Sequence, residues 1–282
     1  MNLRQLLRPR SITVSKLLGG LGNQMFQYAA GQAVAQHHGN RLVLDTTPLH
    51  EVGTHTPRQY GLDAFQIRAT VDGLPRHTLR ALLRVRDEWP ADRWFERVPR
   101  GAKLEGYWQD PGYFASIRAD LLNDFSLSAP PSAYAAGVAD QIRRCANPVS
   151  IHFRRGDYVS NASAAQVHGT CTPDYYAQAC QRLTQQVADP ACFVFSDDPE
   201  WVRTQSGLQL PYVLVDANQS SAAQDIWLMS LCRHHIVANS SFSWWGAWLG
   251  SQDGLKMAPR QWLADPQANA AVRIVPGHWD RI

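Results

Sequence analysis

From residue 148 onward the chain alternates short apolar runs with helical segments, and such an alternation closes as a mainly parallel sheet covered by helices. A strand is expected over 149–153, a helix over 173–187 and a strand over 192–195. The next helix takes Asp198 as its N-cap and Pro199 at its first position. A strand over 212–215 leads to a helix over 222–232, opened by Ser221 with Gln224 three residues on, the pattern of a capping box. A strand over 235–238 and a helix over 242–249 complete the series. The start of the chain repeats the theme once. A strand over 12–18, a glycine turn at 19–23, a helix over 24–38 ended by Gly39 and a strand over 41–45 make one βαβ unit. Between 46 and 125 the pattern loosens into a basic helical stretch (76–86) and an aromatic segment (106–114). Residues 128–136, rich in Ala, Pro and Ser, read as a linker or the lead into a helix, which divides the chain into domains 1–130 and 131–282.

Two such domains suit 282 residues of which 45% are hydrophobic. A net charge of +3 is too mild to indicate a nucleic-acid partner. Five cysteines, an odd count with no C-x-x-C pair, argue against a disulfide framework or a zinc site and for a reducing compartment. The first sixteen residues carry four cationic side chains and no apolar stretch long enough for a signal peptide or a membrane span. The expected location is cytoplasmic, with a cationic start that is a solvated tail or touches an anionic membrane face peripherally.

The chemistry gathers where parallel strands end. His152-Phe153-Arg154-Arg155-Gly156-Asp157 closes the apolar run at 148–153, and two arginines there are costly unless something anionic answers them. A diphosphate would, because the planar guanidinium grips two phosphate oxygens and stays charged. Asp157 could instead pair internally with one arginine. After the next strand come Asp197 and Asp198, able to bind a divalent metal, cap the following helix or accept N–H groups of a guanine base. Asn239-Ser240-Ser241 then open an apolar helix whose N-terminus suits a phosphate. Trp244, Ala247 and Trp248 of that helix are spaced as one packed face. The turn Gly19 to Asn23 with Asp45 invites a dinucleotide reading, but the third glycine of G-x-G-x-x-G falls at Met25. Asn23 and Gln24 are uncharged amides at a helix start, suited to sugar hydroxyls or to capping.

Residues 19–29, the 152–158 loop, the 106–114 segment and 239–249 together resemble the bacterial α-1,2-fucosyltransferases, in order and across most of the chain. The resemblance implies a metal-independent, inverting transferase of the GT-B type, with two Rossmann-like α/β domains whose parallel sheets face a central cleft. It implies transfer of L-fucose from GDP-β-L-fucose to the 2-hydroxyl of a terminal galactose on a β-galactoside glycan, a surface-polysaccharide (O-antigen) intermediate, with no cofactor or metal. Animal members carry a membrane anchor that this sequence does not show, which fits a bacterial enzyme at the cytoplasmic face. By the same resemblance Arg154 meets the β-phosphate, while Arg155 holds the loop through a carboxylate such as Asp157 or shares the diphosphate. His152 and one of Asp197 or Asp198 sit near the guanine, unless His152 is a buried structural histidine. Asn239, Ser240 and Ser241 meet phosphate. The acceptor lies near Asn23, Gln24, Tyr107 and Trp108. Related α-1,6-fucosyltransferases place a glutamate shortly after the arginines, whereas Tyr158-Val159-Ser160-Asn161-Ala162 offers none. Asp157 and His168 are the nearest titratable groups, and the alternative is leaving-group stabilisation with late proton loss. Two other readings stand beside this one: a transferase using another GDP-sugar, and a catalytically silent sugar-nucleotide-binding protein.

Overall fold

A computed structural model describes residues 11–50, 58–74, 78–79, 82–87, 91, 94, 97–156 and 169–282. The chain divides into two units, Met1–Ser128 and Ala129–Ile282. Among the described residues no helix is long and apolar enough to cross a membrane.

The first unit begins with strand β1 (Ile12–Lys16), helix α1 (Leu21–His38) and strand β2 (Arg41–Asp45), followed by β3 (Thr70–Val71), β4 (Leu83–Arg86), β5 (Ala102–Glu105) and helix α2 (Arg118–Asp124). The strands run parallel in the order β3-β2-β1-β5-β4. β1 is central, so both its faces are covered and even Thr13 and Ser15 are fully buried. Their hydroxyls are satisfied, because Ser15 Oγ donates to the Gln27 carbonyl at 2.7 Å and Asn40 Nδ2 donates to Thr13 Oγ1 at 3.1 Å. α1 lies close on the sheet at Gly31, where a Cβ would come within 2.8 Å of Leu42 Cδ1 and 2.9 Å of Ser15 Cβ. The helix ends as its sequence suggests, at Gly39 in the left-handed conformation (φ 63°). β1 stops at Lys16 rather than 18, since the Leu18 N–H turns to Gln27 Oε1 at 2.9 Å.

The loose middle of the sequence holds three strands that its pattern does not announce, β3, β4 and β5. The basic stretch expected to be helical is helical at 78–79 and then becomes β4, with Val85 buried and Leu83 exposed. Pairing with β5 overrides helical preference here, and exposed Arg84 and Arg86 suit an edge strand. Asp45, the acidic residue of the dinucleotide reading, is buried and bound to Lys103 Nζ at 2.8 Å. Burial pushes its pKa up, but hydrogen bonds from Lys103 and Thr47 prevail and hold it below the usual carboxylate range.

In the second unit α3 (Ala133–Arg144) is followed by β6 (Pro148–Phe153), α4 (Pro173–Gln186), β7 (Ala191–Ser196) and α5 (Pro199–Gln205). Then come β8 (Tyr212–Leu214), α6 (Ala222–Leu231), β9 (His234–Ile236), α7 (Ser241–Leu249), β10 (Lys256–Ala258), α8 (Pro266–Ala270) and β11 (Asp280–Arg281). All strands are parallel, in the order β11-β10-β9-β6-β7-β8. Every residue of β6 is buried. From β6 the chain winds outward through β7 and β8, then returns to the other side of β6 as β9. The switch point of the sheet therefore lies between the carboxyl ends of β6 and β9, where open α/β sheets bind ligands. Trp244 and Trp245 are fully buried, and Trp244 Nε1 donates to the Ile274 carbonyl at 2.6 Å, so these rings are core.

One buried polar knot ties α1 to α2. Asp124, 2% exposed, accepts Tyr28 Oη–H at 2.7 Å, Arg68 Nε–H at 2.6 Å and Arg68 Nη2–H at 3.1 Å. Replacing Asp124 by Ala leaves the proton of the buried Tyr28 hydroxyl without its acceptor, the oxygen keeping only the Arg68 backbone N–H at 3.0 Å, whereas the half-exposed Arg68 side chain regains water. The expected loss is about 2 kcal/mol, against about 1 kcal/mol for Tyr28→Phe, read as the change in urea midpoint at constant slope.

Candidate functional site

The register of β6 on β7 decides the geometry of the arginine loop. Phe153 lies opposite Ser196, so the next residues on each strand, Arg154 and Arg155, meet Asp197 and Asp198. Arg154 Nη1 donates to Asp197 Oδ2 at 2.5 Å, and the Arg155 N–H donates to Asp197 Oδ1 at 2.8 Å. Arg155 Nε reaches Asp198 Oδ2 at 3.3 Å, and its guanidinium lies 4.0 Å from the centre of the Trp201 ring. Asp198 Oδ1 caps α5 by accepting the Trp201 N–H at 3.1 Å, as its position before Pro199 suggests. A Cβ at Gly156 would come within 2.7 Å of Asp197 Oδ2, so the loop passes its carboxylate only as glycine.

The described carboxylate partners of the arginines, Asp197 and Asp198, follow β7, while Asp157 and His168 lie outside the described residues. The contacts correct two sequence expectations. Asp197 has a donor on each oxygen and Asp198 divides its oxygens between a helix cap and Arg155, so both organise the loop instead of waiting for guanine N–H groups. Asn239 is also spent on the protein. It is 2% exposed, and Nδ2 donates to the carbonyls of Gly169 and Trp262, each at 3.3 Å, tying two loops together.

His152 is 4% exposed, its ring centre 5.5 Å from that of Phe242. Burial, opposed by Asp197 and reinforced by Arg154, pushes the imidazole down to about 4, so it is neutral at pH 7. Its Nδ1 has no hydrogen-bond partner among the described residues. Beside it in the sheet, β9 leads into α7, where Ser240 Oγ accepts the Phe242 N–H at 3.3 Å as N-cap and Ser241 is the first helical residue.

Sequence reasoning missed Asp225. It stands in the first turn of α6, immediately after the Ser221–Gln224 capping box, which is present with both its bonds. α6 starts from the same carboxyl edge of the sheet as α7 and packs against it. Asp225 is 8% exposed, and Ser220 Oγ is the one side-chain donor to its carboxylate among the described residues. Burial, only partly offset by Ser220, lifts its pKa to about 6. The available signal was an acid beside a cap whose other positions already accounted for the cap.

In the first unit the two remaining motifs meet at the corresponding switch point, the carboxyl ends of β1 and β5. Gln109 Nε2 donates to Asn23 Oδ1 at 2.8 Å. Gln24 and Trp108 do not face solvent as an acceptor site would require. Gln24 is fully buried, with Nε2 donating to the carbonyls of Gly19 (3.0 Å) and Gln59 (2.9 Å) and Oε1 accepting the Gly61 N–H at 3.1 Å. Trp108 is 1% exposed and packs on Trp94 and Tyr113, while Tyr107 is 41% exposed. Among the described residues no three His, Cys, Asp or Glu side chains gather as a metal site would need.

Residues 9–279 match the family model of glycosyl transferase family 11. The alpha-1,2-colitosyltransferase of Escherichia coli is 34% identical, over 96% of this chain and 99% of that protein. Galactoside alpha-(1,2)-fucosyltransferase 1 of Sus scrofa is 26% identical, over 85% of this chain and 66% of that one. The crystal structure of fucosyltransferase NodZ from Bradyrhizobium superposes with a TM-score of 0.52 at 13% identity, covering 85% of this chain and 93% of that one. The likeness to NodZ is one of fold, two Rossmann-like α/β units of the GT-B type, and the match along nearly the whole sequence gives the narrower statement: this chain belongs to glycosyl transferase family 11.

Proposed function

We propose that the protein is an inverting transferase that moves L-fucose from GDP-β-L-fucose to the 2-hydroxyl of a terminal galactose, without a metal. The observation that carries this reading is the arginine pair held at the switch point beside the start of α7. When the bond between the anomeric carbon and the β-phosphate oxygen breaks, GDP leaves with the electron pair and the sugar becomes oxocarbenium-like. Charge then grows on the β-phosphate, where a preorganised cation stabilises the transition state more than the ground state. Arg154 supplies that cation. Arg155, braced between Trp201 and Asp198, keeps the loop in place. The N–H groups at the start of α7, with Ser240 and Ser241, add donors to the diphosphate.

The guanine falls to Asp225, with the neutral ring of His152 as a further partner. A purine edge that presents adjacent N–H donors needs an acceptor not already taken, and Asp225 has one oxygen committed to Ser220. The galactoside acceptor is assigned to the first unit, at Asn23 and Tyr107. A surface-polysaccharide intermediate at the cytoplasmic membrane face would also suit the cationic start, Arg4, Arg8 and Arg10. A second reading changes only the donor. The 34% identity to an alpha-1,2-colitosyltransferase favours GDP-colitose, whose sugar is L-fucose without its 3-hydroxyl. Product analysis with both donors and a panel of β-galactosides decides between them. Transfer from neither would overturn the transferase reading.

Transfer is expected to persist in excess EDTA, with Arg154 in the role a metal would have. Activity lost in chelator and restored by Mg²⁺ or Mn²⁺ refutes this. Arg154→Lys keeps the charge but loses the fork, so kcat falls on the order of 10²-fold while donor affinity changes less. Steady-state kinetics with normal turnover in that variant would move the leaving-group role to Arg155.

Asp225 gives the donor site a pH dependence. Its pKa in the free protein is raised to about 6, so the carboxylate that accepts guanine N–H groups is present above pH 6 and lost below it. Affinity for GDP-fucose, whose esterified diphosphate has no proton to lose in this range, should fall as pH drops from 7 to 5, approaching tenfold per unit at the acid end. Calorimetry should show Asp225→Asn binding more weakly at pH 7 and with little slope. A wild-type affinity constant over that range contradicts the assignment.

A further inference from the structure

We propose that the side-chain amides of Asn23 and Gln109 form a reader for a vicinal pair of sugar hydroxyls, the cis 3,4-diol of the galactoside acceptor. The proposal rests on the transferase reading and names the residues that would select its acceptor. Gln109 Nε2 donates to Asn23 Oδ1 at 2.8 Å, which turns one group of each amide toward the other. The groups left wholly unengaged by that bond are one NH2 donor, Asn23 Nδ2, and one carbonyl acceptor, Gln109 Oε1. Neither has a partner among the described residues, and both side chains are half-buried. The complement survives exchange of both amides, which merely swaps the two residues' roles. Two adjacent hydroxyls match it, one accepting and the other donating. An uncharged reader also suits an uncharged sugar.

The backbone around the pair is arranged for it. A Cβ at Gly19 would come within 2.6 Å of Asn23 Nδ2, so the glycine leaves the amide uncovered. On the other side Trp108 has φ 56°, a left-handed conformation that a bulky side chain disfavours and that persists only where its surroundings over-determine it. They do so here. Asp87 Oδ2 accepts the N–H groups of Tyr107 at 2.7 Å and Trp108 at 3.1 Å, and the indole is wedged 5.3 Å from Trp94 and 5.2 Å from Tyr113. The reversal leaves Tyr107 exposed and brings Gln109 to Asn23. Strain of this kind clusters at ligand sites, and at this edge it sets the direction of one amide.

The test uses the full chain, saturated with GDP, and methyl β-D-galactoside with its 3-deoxy and 4-deoxy analogues, read by ligand-observed NMR titration. Wild type should bind each deoxy sugar about tenfold or more weakly than the parent, as for loss of a hydrogen bond that leaves its partner unpaired. Gln109→Leu should lose a similar factor on the parent and no longer distinguish parent from deoxy sugars, with GDP affinity by calorimetry at the wild-type value. Equal affinity of wild type for all three sugars overturns the proposal whether or not any variant folds. So does a Gln109→Leu protein that binds the parent normally or keeps both deoxy penalties. Release of GDP from GDP-fucose by a wild type that binds no galactoside would refute the diol reader alone. Failure to release GDP with any acceptor would overturn the transferase reading and this one with it.

Discussion

Two arginines at the end of a fully buried strand are tolerable because the neighbouring strand ends in two aspartates in the same register. β6 and β7 pair from Pro148 opposite Ala191 to Phe153 opposite Ser196, and continuing that register matches each arginine with one carboxylate. Unmatched, each cation near the sheet edge would carry a desolvation cost of several kcal/mol. Matched, the four charges cancel and the loop is fixed in one conformation by bonds to side chain and backbone alike. The cancellation bears on function. On the proposed function, a diphosphate entering this edge would meet no large excess of positive charge, so its ground-state binding would lean on the start of α7 and on the groups proposed for the base. Arg154 can then answer mainly the charge that appears as the sugar leaves, which is where binding energy raises turnover.

The two units apply one topological device to different chemistry. Each has its site-forming residues where the strand order reverses, between β1 and β5 in one and between β6 and β9 in the other. In the first unit those residues are neutral amides and an exposed tyrosine, with nearby charges such as Asp45 and Lys103 paired to each other. In the second they are arginines, aspartates and a helix start. The separation corresponds to what a sugar transferase handles, an uncharged hydroxylated acceptor and a charged nucleotide donor.

What the sequence reveals is what acts over three or four residues. Asp198 before Pro199, Ser221 with Gln224, and Gly39 after α1 are caps whose partners lie within a turn, and each forms as expected. The parallel sheet of the second unit follows from alternation alone. What stays hidden depends on register or on a distant segment. The matching of Arg154 to Asp197 spans 43 residues and is set by strand pairing, which nothing local in the sequence announces. Gln24 reads as an exposed amide because nothing local says that residues 59–61 fold over it. β5 has only four residues with alternate burial, too short a period to stand out. The left-handed turn at Trp108 runs against residue preference altogether, and only the bonds from Asp87 account for it.

The titratable groups of the second unit divide along the same line as the proposed ligand. Toward the diphosphate, Arg154 and Arg155 are charged, and their carboxylates share hydrogen bonds with them. Toward the base, burial strips charge instead: the imidazole of His152 is neutral at any physiological pH, and Asp225 ionises only near pH 6. A neutral imidazole presents one donor and one acceptor, and a carboxylate on the verge of protonation gains the most from any N–H that stabilises its ionised form. Both are properties for recognising an uncharged heterocycle by hydrogen bonds, and neither would serve to hold a phosphate. On the proposed function, the burial of His152 and Asp225 therefore also sets which end of a sugar nucleotide these two groups would meet.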